Sequence, residues 1–113
     1  MDQHLEIYKR DHLRCVYCFQ SLFQSLDAWQ SSHIDHLITK KSKGDYAKRE
    51  DTDFKVAACF TCNTLRGEWS PDILLTKETR EEYINLIRKH IFERRAAQTI
   101  EFQNQLTTMQ NSK

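Results

Sequence analysis

No run in this sequence approaches the roughly 20 consecutive apolar residues of a membrane-spanning helix, and the opening Met1-Asp2-Gln3-His4 has neither the basic nor the apolar region of a secretory leader. These absences predict a soluble, intracellular (cytoplasmic) protein with no membrane partner. Glycine and proline are scarce as well, at two and one in 113 residues, which excludes a linker-like low-complexity chain. An excess of charge is also lacking. With 17 basic and 16 acidic side chains the net charge is +1, which argues against a protein whose main task is tight nonspecific coating of nucleic acid. What is present is 39% hydrophobic residues, with two Trp, four Tyr and six Phe, enough for a modest core in one compact unit. A chain this short buries only about two thirds of its unfolded surface, so a further staple is expected, and four cysteines are the candidates.

All four fall into C-x-x-C pairs, Cys15-Val16-Tyr17-Cys18 and Cys59-Phe60-Thr61-Cys62. Two thiolates spaced by two residues wrap one turn around a tetrahedral ion, and two such turns complete an all-sulfur shell, so Cys15, Cys18, Cys59 and Cys62 are expected to hold a structural Zn²⁺. A disulfide framework is the weaker reading for a reducing compartment. A thioredoxin-like redox couple would show one pair at a helix start in an α/β pattern, not two pairs.

Zinc fingers commonly separate their ligand pairs by about 12 to 20 residues, but here forty positions lie between Cys18 and Cys59. Within that insertion, His33, Ile34, His36, Leu37 and Ile38 form a β-compatible run. Gly44-Asp45 supplies a turn, and Phe54-Lys55-Val56-Ala57-Ala58 forms a second strand that leads into Cys59. After Cys62, Asn63 to Gly67 reads as a short helix stopped by Gly67, with Asn63 and Arg66 on one face.

Arg14 to Cys18, Ile34-Asp35-His36-Leu37, Lys43-Gly44, Val56 to Asn63 and Arg66-Gly67, in this order and spacing, resemble the HNH nucleases. The likeness covers about residues 10–67. It implies an α+β fold with a small ββα-metal, treble-clef-like core stapled by the four-cysteine zinc site. It also implies a phosphodiester hydrolase acting on double-stranded DNA and leaving 5'-phosphate and 3'-hydroxyl ends. Carried over position by position, it makes His36 the general base, and Asp35 and Asn63 the ligands of a catalytic Mg²⁺ or Mn²⁺. Arg66 takes the place of the family's Lys before Gly, a position suited to a phosphate. The chain departs from the family just before the second strand, where the usual Asn is replaced by Asp53-Phe54; Asp51, Thr52 or Asp53 is expected to tether the loop instead.

The chemistry suits these residue types. Carboxylate and amide oxygens match a hard divalent ion, and an imidazole with an ordinary pKa near 6.5 accepts a proton at neutral pH. Adjacent strand residues point to opposite faces, so Asp35 and His36 share a site only at a strand end or a twisted position. His33, on the Asp35 face, is the competing histidine, either an added metal ligand or phosphate contact or a plain structural residue. Lys40, Lys41 and Lys43, followed by Lys48 and Arg49, lie in the loop after His36 and are expected to contact DNA phosphates, with Trp69 at the other edge. The rival reading is a noncatalytic zinc module that binds nucleic acid or protein.

The flanks are predicted helical. Gln3–Leu13 carries Leu5, Tyr8 and His12 at helical spacing, and Phe19, Leu22, Phe23, Leu26 and Trp29 suggest a helix before the first strand. Residues 1–75 are expected to form the nuclease core and 76–113 a helical extension. That extension opens with a Thr79–Glu82 capping box, and its first half should pack on the core. Its outer half either projects, frays or meets a second chain or another protein, as in a homodimer.

Overall fold

The computed structural model describes residues 3–112 and runs in the order α1 (Gln3–Arg10), α2 (Leu26–Ser31), β1 (His33–His36), β2 (Lys55–Ala58), α3 (Phe60–Arg66) and α4 (Arg80–Asn111), with 3-10 turns at Tyr46–Lys48 and Thr52–Phe54. This is an α+β architecture with one two-stranded sheet and a long C-terminal helix. Among the described residues, no helix is long and apolar enough to cross a membrane.

The buried residue of α1 is Ile7, whereas Leu5 is exposed and His12 lies beyond the helix end. The chain leaves α1 through His12 and Leu13, both with left-handed backbone (φ 59° and 60°), and the Leu13 N–H donates to Tyr8 O at 2.8 Å. Arg14 then pairs with Ser21 in an antiparallel bridge, and the first cysteine pair occupies the turn between them. Phe19 closes this hairpin at φ 65°, where its N–H meets Cys15 O at 2.8 Å. Such a conformation costs an ordinary residue about 1–2 kcal/mol. In a chain with two glycines, three bulkier residues carry it instead.

This hairpin overturns the helix expected over Phe19–Trp29. The knuckle takes the residues up to Ser21, and helix begins only at Leu26, where Ser25 Oγ accepts the Ala28 N–H at 3.0 Å as an N-cap. Of the five stripe residues only Leu22 is buried. Phe23 packs edge-on against Tyr8 at 5.7 Å and beside Trp29 at 6.3 Å.

The two strands expected around the polar loop are formed. They pair antiparallel in the register His33 with Ala58, Ile34 with Ala57, Asp35 with Val56 and His36 with Lys55. β2 is buried along its whole length, because the knuckle covers its second edge. There the Val16 N–H donates to Ala57 O at 2.9 Å, and the Asp11 carboxylate accepts the Ala57 N–H at 2.8 Å. These bonds bring Cys15 and Cys18 beside the end of β2, where Cys59 follows. The next helix starts earlier than expected, at Phe60, so the second cysteine pair supplies its N-cap and first turn. It stops as expected at Gly67, whose φ of 57° suits glycine.

Thr79 stands at the N-cap of α4, but its side chain makes no capping bond to the helix. Its Oγ1 accepts the Thr76 N–H and donates to Leu74 O, both at 2.8 Å, so it closes the preceding turn, and the predicted capping box is absent. Tyr83, Ile84, Ile87 and Ile91 join the same apolar cluster as Val56 and Leu65, while Ile100, Phe102 and Met109 are exposed. At about 1.5 Å per residue a helix of this length spans about 48 Å, nearly the 54 Å long dimension of the molecule. Its outer half therefore projects.

Candidate metal centre and the Asp35–His36 strand

The knuckle and the first turn of α3 bring the four cysteine sulfurs within 4.8 Å of one another. Cys18 and Cys59 are 3.8 Å apart at Sγ, far beyond a disulfide bond of about 2.05 Å and close to the edge of a tetrahedron with metal–sulfur distances of about 2.3 Å. Cys15 and Cys62 are fully buried, and Cys18 and Cys59 half-buried. Four thiols this close share protons unequally. A hydrogen bond from Cys15 pulls Cys18 down to about 6, and bonds from Cys15, Cys18 and Cys62 hold Cys59 low. Cys15, through its bond to Cys18 first, and Cys62, through its bond to Cys15 first, are pushed up. A closed all-thiol shell of this size fits a structural metal such as zinc.

Helix α4 grips this centre from outside. Arg88 donates to Val16 O at 2.5 Å and to Tyr17 O at 3.1 Å, both inside the first C-x-x-C, and lies 4.7 Å above the Phe19 ring. Arg94 donates to Leu65 O at 2.7 Å, and Arg95 to Cys62 Sγ at 3.5 Å.

Asp35 and His36 lie on opposite faces of β1, even though His36 is its last residue. The Asp35 carboxylate points inward, where its Oδ2 accepts from Arg66 Nη1 at 2.9 Å and from the Tyr17 hydroxyl. Burial, and then the charge of Asp35, push the Tyr17 hydroxyl far above its usual range and keep it a donor. Oδ1 makes no hydrogen bond among the described residues, and the side chain keeps 10% of its surface open.

Arg66 is not the phosphate contact expected from the sequence. It is 1% exposed, and its remaining donors hold His36 O, Leu37 O and Trp69 O at 2.7–2.9 Å. It ties α3 to the end of β1. Asn63, one turn earlier on the same face of α3, is half-buried and makes no side-chain hydrogen bond among the described residues.

The His36 ring turns outward and meets Glu50, with Nε2 to Oε1 at 3.1 Å. A carboxylate only accepts, so the ring donates from Nε2, and in its neutral form the lone pair lies on Nδ1. Glu50 is fixed by Lys55 Nζ at 2.8 Å and Arg49 Nε at 3.2 Å. The hydrogen bond from Lys55, with the charge of His36, lowers its carboxyl to about 2. Sequence reasoning missed Glu50. It also missed Lys55, whose one visible signal is a charge inside an otherwise apolar strand.

The expected loop tethers are not made. Asp51 forms no side-chain capping bond, Asp53 faces the exposed Lys77 at 3.4 Å, and the loop is held by the Leu37 N–H to Phe54 O bond at 2.8 Å. His33 is exposed, with its ring 6.1 Å from that of Phe60, and borders the open groove of about 340 Å³ that His36 and Glu50 line. Of the basic loop, Lys43 pairs with Asp72 at 2.5 Å, whereas Lys40 and Lys41 are exposed and form no ion pair with another described residue. Trp69 stacks on His90, with centroids 4.1 Å apart, an intramolecular contact rather than a free ring at a DNA edge.

Compared with known proteins, the chain matches no family model, no curated protein and no solved structure.

Proposed function

We propose that this chain is a zinc-stapled, divalent-metal-dependent endonuclease of the HNH type that hydrolyses DNA phosphodiester bonds on a treble-clef-like ββα scaffold. The observation that carries the reading is the division of labour within the Asp35 carboxylate. Oδ2 is fastened by Arg66 and Tyr17, while Oδ1 makes no hydrogen bond among the described residues, and the amide of Asn63, one turn before Arg66 on α3, makes none either. Metal-ligating carboxylates are commonly oriented through their second oxygen in this way. Asp35 and Asn63 would hold a Mg²⁺ or Mn²⁺, which when bound supplies charge neutralisation for the phosphate and its leaving 3' oxygen. His36 accepts a proton from water at Nδ1, with Glu50 fixing its tautomer from the other side. Lys40 and Lys41 hold the backbone of the duplex.

A second reading, a noncatalytic zinc-binding module on the same scaffold, is favoured by the divergence of the Asp35 and His36 side chains across β1. A plasmid-nicking assay with Mg²⁺ or Mn²⁺ separates the two. The nuclease reading expects cutting that disappears in His36→Ala while zinc content and circular dichroism stay unchanged. Cutting that survives His36→Ala, or no cutting by the zinc-loaded wild type, rejects it.

A further inference from the structure

Four thiolates around one divalent ion leave a net charge of −2, and the two fully buried sulfurs, Cys15 and Cys62, lack water to screen it. Among the described residues, the cation within hydrogen-bond distance of a cysteine sulfur is the Arg95 guanidinium, 3.5 Å from Cys62 Sγ. It is held there by a helix from which Arg88 and Arg94 also grip the backbone of both cysteine-bearing segments. A hydrogen bond from a cation draws electron density from a metal-bound thiolate, which makes the sulfur harder to protonate and the metal harder to displace. The half-buried Cys18 and Cys59 have no such donor among the described residues.

We propose that Arg95 is a positioning residue of the metal centre: through Cys62 it offsets the charge of the thiolate shell and slows metal loss, leaving Cys18 and Cys59 as the side from which the ion departs. The inference rests on the zinc reading of the four cysteines but not on nuclease activity. It also makes α4 part of the metal centre rather than an appendage to it.

The test loads the full chain with zinc, confirms one ion per chain by elemental analysis, and follows transfer to a chromophoric chelator. Arg95→Gln should release zinc about 10-fold faster or more, and Arg95→Lys at an intermediate rate. Arg94→Gln, which loses a bond to a carbonyl but none to sulfur, should stay within about twofold of wild type. In the cobalt-loaded protein, Arg95→Gln should move the sulfur-to-cobalt charge-transfer band to lower energy, and Arg94→Gln should leave it in place. An Arg95→Gln chain that takes up no zinc, beside an Arg94→Gln chain that does, also supports the proposal. Equal release rates for Arg95→Gln and wild type overturn it, and so do Arg94→Gln and Arg95→Gln chains that fail alike, because helix docking would then be the cause. A wild-type chain that binds no zinc overturns the metal reading itself.

Discussion

Arg66 and Asp35 form a buried ion pair, with Nη1 2.9 Å from Oδ2 and side-chain exposures of 0% and 10%. The partners come from α3 and β1, so the pair joins the helix capped by Cys59 and carrying Cys62 to the strand that carries the proposed chemistry. Removing one member leaves a buried charge alone, which costs about 3–5 kcal/mol. Arg66→Ala should therefore lower the unfolding free energy of the zinc-loaded protein by that amount in urea titration. A loss below about 1 kcal/mol would return Arg66 to the surface role its sequence position suggested.

Metal removal should be more drastic. A structural zinc site contributes on the order of 10 kcal/mol to folding, more than the whole net stability of many domains. A strong chelator should abolish the cooperative melting transition and most of the helical circular dichroism, and added zinc should restore both. An unchanged spectrum in chelator would remove the metal from the fold.

Glu50 gives the stability a pH signature. Its carboxyl titrates at about 2 in the fold against an ordinary value of 4.5, chiefly through the hydrogen bond from Lys55. A depressed carboxyl contributes stability above the unfolded value, and that contribution is lost as pH falls through the folded one. The stability gap between wild type and Glu50→Gln should be fully open at pH 6 and shrink between about 4.5 and 2. A gap that does not vary with pH would show that the amide disturbs packing rather than charge.

The exposed Lys40 and Lys41 should govern the salt dependence of DNA binding. Each phosphate contact contributes about 0.9 to the slope of log affinity against log salt. Lys40→Ala and Lys41→Ala together should flatten that slope by about 1.8, measured by fluorescence anisotropy on a duplex, whereas Lys43→Ala, already paired with Asp72, should change it less. An unaltered slope in the double variant would exclude this loop from the interface.

The cysteine cage, both strands of the insertion and the Gly67 stop were legible in the sequence because each depends on spacing or on one residue's backbone preference. The Phe19–Trp29 stripe misled for a physical reason. Its period is helical, but the bonds of the cysteine hairpin fix the backbone through Ser21, and Phe19 takes a left-handed turn without being glycine. Arg66 misled because a cation before a glycine looks the same whether it ends in solvent or on the carbonyls of β1. Glu50, Arg88 and Arg95 could not be found by pattern, since each acts across 14 to 72 positions of chain.

The two cysteine pairs are separated by forty residues, yet each sits in a turn of its own, one in the hairpin of the first twenty-odd residues and one at the start of α3. Both turns are local in the chain, so either could hold an ion by two sulfurs before the other pair closes the shell. Binding of this kind pulls folding by mass action. If the cage holds zinc, the fraction of chains that reach the native state should rise and fall with the free metal concentration, and refolding should quicken as zinc is raised. With zinc held by these cysteines, the abundance of folded protein would become a reading of metal supply.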